Sequence, residues 1–496
     1  MHIPIQRGSG TAVVEQIRHS IADRIRSGLL THGAALPSVR ALAKTSGVSV
    51  MTVVQAYNQL EENGYIRRVH GKGTYVSTEQ YSQEVRATPS SKEDWQLVLQ
   101  DYLPRAQIWR HSHNFDPKEG ELKLSMASID RELYPLEEVS EEIYRITKSD
   151  PALISDYGPI QGDKQLRGHM ADYLKSRLVS VSKEQLLITN GCQQGIDLVA
   201  RTFLGPGDVV MMESPTYMAA IDVFRARGAL VVPVPVDGEG MRMDVLTRLC
   251  DSYTPKLIYV NPTYQNPTGS VMSAPRRAQL LQLAQSFNAL IVEDEAWSGI
   301  QFGSPPPAPI KSMDTDGHVI YMTSFSKILS PGCRIAVLAA VGTVLSRLIS
   351  SKAIADLGSP LLTQQVILPF FKGNRIYKHM EKLNRELLKR RDLAIRLLRE
   401  HAPAGVTWTE PMGGLNLWLT LPPQTDTDRL LHEAQRERIS FLPSSAFYPG
   451  EPEYHHLRLC YSYLPPAELQ MGIIQLCKLM DRHLDRQVDQ TYVPVI

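Results

Sequence analysis

Between residues 11 and 27 apolar side chains recur every fourth position, at Val13, Ile17, Ile21 and Ile25, until Gly28 interrupts them. One stripe at the helical period predicts an amphipathic helix with a single buried face. Two shorter helices are predicted after it. Ser38 opens one over Val39 to Ser46, closed by Gly47; Ser49 caps another carrying Val53, Val54, Tyr57 and Leu60, ended by Asn63-Gly64. The period then falls to two. Tyr65 to Val69 and Thr74 to Val76 are short β-prone runs joined by His70-Gly71-Lys72-Gly73, a hairpin with a basic tip. Three helices, the last two linked by a tight turn, and a hairpin predict a winged helix-turn-helix over residues 1–78.

From residue 79 to 118 the periodicity fades into polar, breaker-rich sequence such as Thr88-Pro89-Ser90-Ser91, with one short helix expected around Trp95 to Tyr102. A tether of roughly 40 residues can span tens of ångströms. Over 119–496 a different pattern takes over. The runs Leu186–Thr189, Val209–Met212, Leu230–Val232, Leu257–Val260, Leu290–Val292, Val319–Tyr321 and Ile335–Leu338 alternate with helical stretches. Strands that are apolar throughout are buried on both faces, which predicts an α/β domain built on a mostly parallel sheet.

Composition narrows the class. The chain has 496 residues, 43% of them hydrophobic and 21% charged, so more than one core is expected in a soluble globular protein. No apolar run approaches the roughly 20 residues of a membrane span, and the N-terminus lacks a signal-peptide core. Five scattered cysteines form no C-x-x-C pair, which argues against a disulfide framework or a zinc site and for a reduced, cytoplasmic protein. The net charge of +1 hides an asymmetry: through residue 80, nine Lys and Arg face five acids, a local +4 that leaves −3 for the rest. A basic end on a slightly acidic body suits a polyanion partner for that end.

The chemistry gathers where strands end. Thr189-Asn190-Gly191-Cys192-Gln193 follows a strand and opens a helix, a place for backbone amides to hold a phosphate. Ser214-Pro215-Thr216-Tyr217 offers an aromatic face, Asn261 to Gly269 a polar loop containing Asn266, and Glu293-Asp294-Glu295 a carboxylate. Lys327 then stands among Ser324, Ser326 and Arg334. A lysine amine flanked by hydroxyls and a cation suits a phosphate-bearing aldehyde held as a Schiff base.

The stretches Leu36-Pro37-Ser38-Val39-Arg40, Gly47 to Val53 and Gly71 to Val76 resemble the DNA-binding domain of the GntR family. That resemblance implies that the helix after Ser49 enters the major groove, with Ser49, Met51 and Thr52 near bases or phosphates. Arg40 and Lys72, beside Gly73 of the wing, then grip the backbone of double-stranded DNA. Val50 stands where relatives often carry arginine.

The strand-end motifs, in their order, resemble fold-type I aminotransferases, which bind pyridoxal 5′-phosphate. The resemblance implies a smaller C-terminal α+β subdomain and a role for each residue. Lys327 is the covalent anchor. Cys192 and Gln193, through their amides, and Ser324, Ser326 and Arg334 hold the phosphate. Tyr217 packs on the ring, Asn266 binds its hydroxyl oxygen and Asp294 pairs with its nitrogen. Tyr157 reaches the phosphate of a neighbouring subunit, and Arg458 clamps an effector carboxylate. Two departures stand out: Ala296-Trp297 where relatives place a tyrosine, and Ser128 where they usually show glycine.

A winged helix tethered to such a body resembles the MocR subfamily of GntR regulators. That resemblance implies a homodimer, with its domains crossed over, that senses an amine, an amino acid or the cofactor itself. A working aminotransferase with an accessory DNA-binding domain is the alternative.

Overall fold

The computed structural model describes residues 13–26, 30, 33–62, 64–69, 73–77 and 120–491, in two compact units. In the N-terminal unit, α1 (Val13–Arg26) packs with α2 (Val39–Ser46) and α3 (Val50–Glu62). The predicted stripe is the core: Ile17, Ile21, Leu42, Val53, Tyr57 and Leu60 are fully buried together. Ser38 accepts the Ala41 amide at 3.2 Å, and Gly47 ends α2 at a φ of 64°, where a side chain would strain the backbone. The wing is β2 (Ile66–Val69) against β3 (Gly73–Val76), antiparallel with Ile66 opposite Val76. A strand the pattern does not announce, β1 (Ala35–Leu36), pairs with the other edge of β3. Two residues are too few to show a period, so only the partner strand defines it. Lys72 at the wing tip, the tether over 79–118 and the helix expected near Trp95 lie outside the described residues.

The large unit is built on an eight-stranded sheet. In chain order its strands are β4 (Leu186–Thr189), β5 (Val209–Ser214), β6 (Leu230–Asp237), β7 (Gly240–Met241), β8 (Pro255–Val260), β9 (Leu290–Asp294), β10 (Val319–Ser324) and β11 (Ala336–Ala339). They lie in the order β4-β11-β10-β9-β8-β5-β6-β7. The neighbours from β6 through β10 are parallel, whereas β11 runs antiparallel to both β10 and β4. The sheet is mostly parallel, as expected, because its strands are apolar on both faces.

Alternation along each strand sorts side chains between two cores. Val210, Met212, Leu257, Tyr259 and Val292 fill one face; Met211, Ile258, Val260 and Ile291 fill the other. A smaller antiparallel sheet of β12 (Thr407–Trp408), β13 (Asn416–Thr420), β14 (Leu442–Pro443) and β15 (His456–Cys460) forms the C-terminal α+β part. Segment 124–130 is laced to the end of β15, since Cys460 donates to the Leu124 carbonyl and Asp130 to that of Ser462, both at 2.8 Å. Among the described residues no helix is long and apolar enough to cross a membrane.

Candidate cofactor and effector site

The C-terminal ends of the parallel strands supply the candidate residues, as doubly wound sheets require. After β4 the chain turns through Gly191 at a φ of 87° and enters helix α4 (Cys192–Phe203). Glycine is needed there twice over, because a Cβ at that position would also run into the Arg334 guanidinium. No side chain caps this helix, so the amides of Cys192 and Gln193 stand at its positive end without helical partners.

Arg334 donates to the Asn190 carbonyl at 3.1 Å, which holds the cation over the same turn. Ser324 accepts the Ser326 amide at 3.2 Å. The Ser326 hydroxyl is buried without a partner. An orphan hydroxyl of this kind costs about 1–3 kcal/mol unless a ligand satisfies it. Free helix amides, a guanidinium and an unpartnered hydroxyl together fit a phosphate.

The other groups lie around this cradle. Tyr217 donates to the Gln193 amide oxygen at 3.0 Å. Asp294, 4% exposed, ends β9 and accepts from the Tyr259 hydroxyl at 2.7 Å and the Ala296 amide at 3.1 Å. Burial pushes its carboxyl up to about 6, with the Tyr259 bond opposing. A protonated ring nitrogen beside it would favour the anion, so a buried aspartate fits a pyridinium partner. Lys327 donates to the Ala127 carbonyl at 2.8 Å. Desolvation first, then the Arg334 and Arg458 cations, lowers its ammonium from 10.5 to about 8.

Arg458, on β15, is buried. It donates to Asn266 at 3.0 Å and to the Ser125 carbonyl at 2.7 Å, and it lies 5.2 Å above the Phe447 ring. Its Nε has no partner, and among the described residues no carboxylate forms an ion pair with it. A buried cation without a counter-ion is costly, a cost that an anionic group beside it would offset.

The arrangement separates three neighbouring acids. Asp294 shares a face with Tyr259, whereas Glu293 turns to the other side and accepts the Ile310 and Lys311 amides at 2.6 and 2.8 Å. Glu295 accepts the Thr263 hydroxyl at 2.6 Å and lies 3.5 Å from the buried Arg277. The departures also find places. Trp297 is buried in the core with Ile300 and Phe302, so it packs. Ser128 is buried near the Tyr134 hydroxyl at 3.4 Å, and the carbonyls of its neighbours Ser125 and Ala127 are what meet Arg458 and Lys327. Tyr157 is 85% exposed.

Tyr259, Asn261 and Phe447 escaped the sequence reading. Tyr259 left a signal, a hydroxyl inside an otherwise aliphatic strand, and Asn261, which donates to the Asp294 carbonyl, sits in the motif already singled out. Phe447 left none, because its contact with Arg458 exists only through the small sheet.

On the N-terminal unit, Met51 is 65% exposed and Val50 47% exposed at the start of α3. Arg40 and Gly73 are exposed too. Ser49 accepts the Thr52 amide at 3.1 Å and bonds the Thr52 hydroxyl at 2.7 Å, so both hydroxyls are engaged in the helix cap. Arg68 is anchored by Asn58 at 2.7 Å.

Residues 122–476 match the aminotransferase class I and II family, and residues 13–76 match the gntR family of bacterial regulatory proteins. The helix-turn-helix transcriptional regulator YisV of Bacillus subtilis is 30% identical over 470 residues, 94% of this chain and 96% of that one. The probable rhizopine catabolism regulatory protein MocR of Rhizobium meliloti is 27% identical over 483 residues, 95% of this chain and 94% of its own. Among solved structures, the α-aminoadipate aminotransferase LysN of Thermus thermophilus, complexed with N-(5′-phosphopyridoxyl)-L-leucine, is 30% identical. Its TM-score is 0.73, over 79% of this chain and 99% of that one. The large domain thus belongs to the aminotransferase class I and II family, and its union with a gntR head makes the chain a member of the MocR-type regulators.

Proposed function

We propose that this protein is a pyridoxal 5′-phosphate-dependent transcriptional regulator that senses an amine or amino acid, or the cofactor, through Lys327. When bound, the cofactor supplies an aldehyde carbon open to primary amines and a ring that withdraws electrons. The residues of this chain do the rest. The Cys192 and Gln193 amides, Ser324, Ser326 and Arg334 hold the phosphate. Tyr217 covers the ring, Asn266 meets its hydroxyl oxygen and Asp294 keeps its nitrogen protonated. Lys327, with its ammonium lowered to about 8, offers a neutral amine to the aldehyde near neutral pH. A homodimer, in which Tyr157 of each subunit reaches toward the other's phosphate, is part of this reading.

The single observation that carries it is the union of a complete Lys327 cluster with a gntR head in one chain. An amine taken up at the site would change charge and hydrogen bonding around Lys327. If two arrangements of the protein bind that state unequally, DNA affinity follows; a difference of about 1.4 kcal/mol shifts the balance tenfold. The test takes a duplex selected from a random-sequence library by the holoprotein. Its retardation should change with an amine that also changes the visible spectrum. Retardation indifferent to every spectrally active amine, and to removal of the cofactor, would overturn the reading.

Two variants divide the parts. Arg458→Gln is expected to weaken capture of an amino acid by about tenfold to a hundredfold, while sparing the corresponding decarboxylated amine. Spectral titration with the two ligands measures it. Arg40→Ala is expected to weaken binding to all duplexes alike and to lower the slope of log affinity against log salt by about one, as loss of one phosphate contact does. Retardation across a salt series checks that.

A second reading, a working aminotransferase, is favoured by the retention of Lys327, Asp294 and Arg458 in a domain similar to LysN. Steady keto-acid formation from two substrates at ordinary enzymatic rates would select it.

A further inference from the structure

The phosphate cradle rests on a partly buried polar network that the proposed chemistry does not use. Helix α5 (Gly342–Asp356) ends at Asp356. One carboxylate oxygen accepts from Asn190 Nδ2 at 3.1 Å, Gln194 Nε2 at 2.6 Å and Lys352 Nζ at 2.6 Å. Its other oxygen accepts the Gly358 amide at 2.9 Å. With its nitrogen so engaged, Gln194 turns its oxygen to the Asn190 amide at 2.8 Å and to Lys352 at 3.3 Å. Asn190 is therefore gripped by side chain and backbone, and its carbonyl is the group that holds Arg334.

We infer that Asp356 is a positioning residue for the phosphate cradle, setting the turn Asn190-Gly191-Cys192 and, through the Asn190 carbonyl, the placement of Arg334. The inference rests on the proposed cofactor reading and adds a residue that touches no part of the cofactor. Lys352 is fully buried, and its ammonium neutralises the carboxylate, so the network orients donors without adding net charge beside a phosphate. Asp356 also ties the cradle to a second segment. Directly after it, Leu357 and Gly358 take left-handed φ angles of 55° and 112°, and a Cβ on Gly358 would stand 3.2 Å from the Gly158 carbonyl. Gln364 then donates to the Ser359 carbonyl at 3.0 Å and accepts the Asp163 amide at 2.7 Å. The turn next to the exposed Tyr157 is thus braced by the loop that leaves Asp356.

The test compares pyridoxal 5′-phosphate with pyridoxal, which lacks the phosphate, by spectral titration of the full-length protein. In Asp356→Asn one amide replaces a carboxylate that accepts four donors, three of them from side chains, so the preference for the phosphorylated form should fall about tenfold or more. Affinity for pyridoxal should hold. A purely structural role would lower both affinities together and leave their ratio unchanged, which overturns the inference. Asn190→Ala, which leaves the Lys352–Asp356 pair intact, guards against misfolding and should shift the ratio in the same direction. A ratio equal to that of the parent in both variants also overturns it. Failure of the parent protein to bind either compound would instead sink the cofactor reading.

Discussion

Lys327→Ala protein, reconstituted with pyridoxal 5′-phosphate and reduced with borohydride, is expected to carry no pyridoxyl group, whereas the parent carries it on Lys327. The effect should be close to all-or-none, because no other described lysine shares the cradle of Cys192, Ser324 and Arg334. Mass spectrometry of the peptide containing residue 327 reads the result. Rate adds a second signature. The amine must be neutral to attack a carbonyl, and burial with two neighbouring guanidinium groups draws its ammonium down to about 8. Near pH 7.4 about one fifth of the amine is then neutral, on the order of two hundred times more than for a solvated lysine. Capture of the aldehyde should accelerate from pH 6.5 to 8 and level off above that. A label at an unrelated lysine, or a rate still climbing steeply at pH 9.5, would refute the assignment.

Arg277→Met is expected to cost about 3–5 kcal/mol of stability, the range found when one partner of a buried ion pair is removed. Arg277 is fully buried within 3.5 Å of Glu295 and 4.0 Å of Glu293. It also donates to the Met272 and Pro262 carbonyls at 3.0 and 2.9 Å and to the Thr263 hydroxyl at 2.9 Å. Those bonds hold the start of the loop that carries Asn266, so cofactor affinity should fall with stability. The pH dependence has a definite sign. Burial raises both carboxyls above their ordinary 4.5, and Arg277 opposes the rise. A raised carboxyl favours the protonated fold, so stability is lost as pH climbs from the ordinary value through the raised one. Without Arg277 the raising is stronger. The deficit should therefore be smaller at pH 5 than at pH 8, as denaturant melts at the two values would register. Equal deficits would assign the loss to the carbonyl bonds alone.

Much of this protein was legible before any folding. The stripe Val13, Ile17, Ile21 and Ile25, the caps at Ser38 and Gly47, and the doubly apolar runs of the sheet each express a local rule, namely helical period, left-handed glycine or two-sided burial. The order of motifs from Asn190 to Arg334 pointed to the cradle because strand-end loops of a parallel sheet converge wherever the sheet is placed. What escaped depended on neighbours distant in the chain. β1 becomes a strand only against β3, and Phe447 meets Arg458 only through the small sheet. Ser128 drew notice as a side chain, yet the backbone carbonyls beside it make the contacts.

The chain's own order of residues therefore settled the fold class and the winged-helix head and singled out Lys327 as the candidate anchor, since these follow from periodicity and from motifs a few residues long. Three-dimensional packing alone settled which of Glu293, Asp294 and Glu295 faces the cluster, where Arg458 finds its partners, and that Asp356 reaches Asn190 across 166 positions. Side-chain direction, burial and long-range hydrogen bonds arise from how strands alternate and helices dock. No local pattern encodes them.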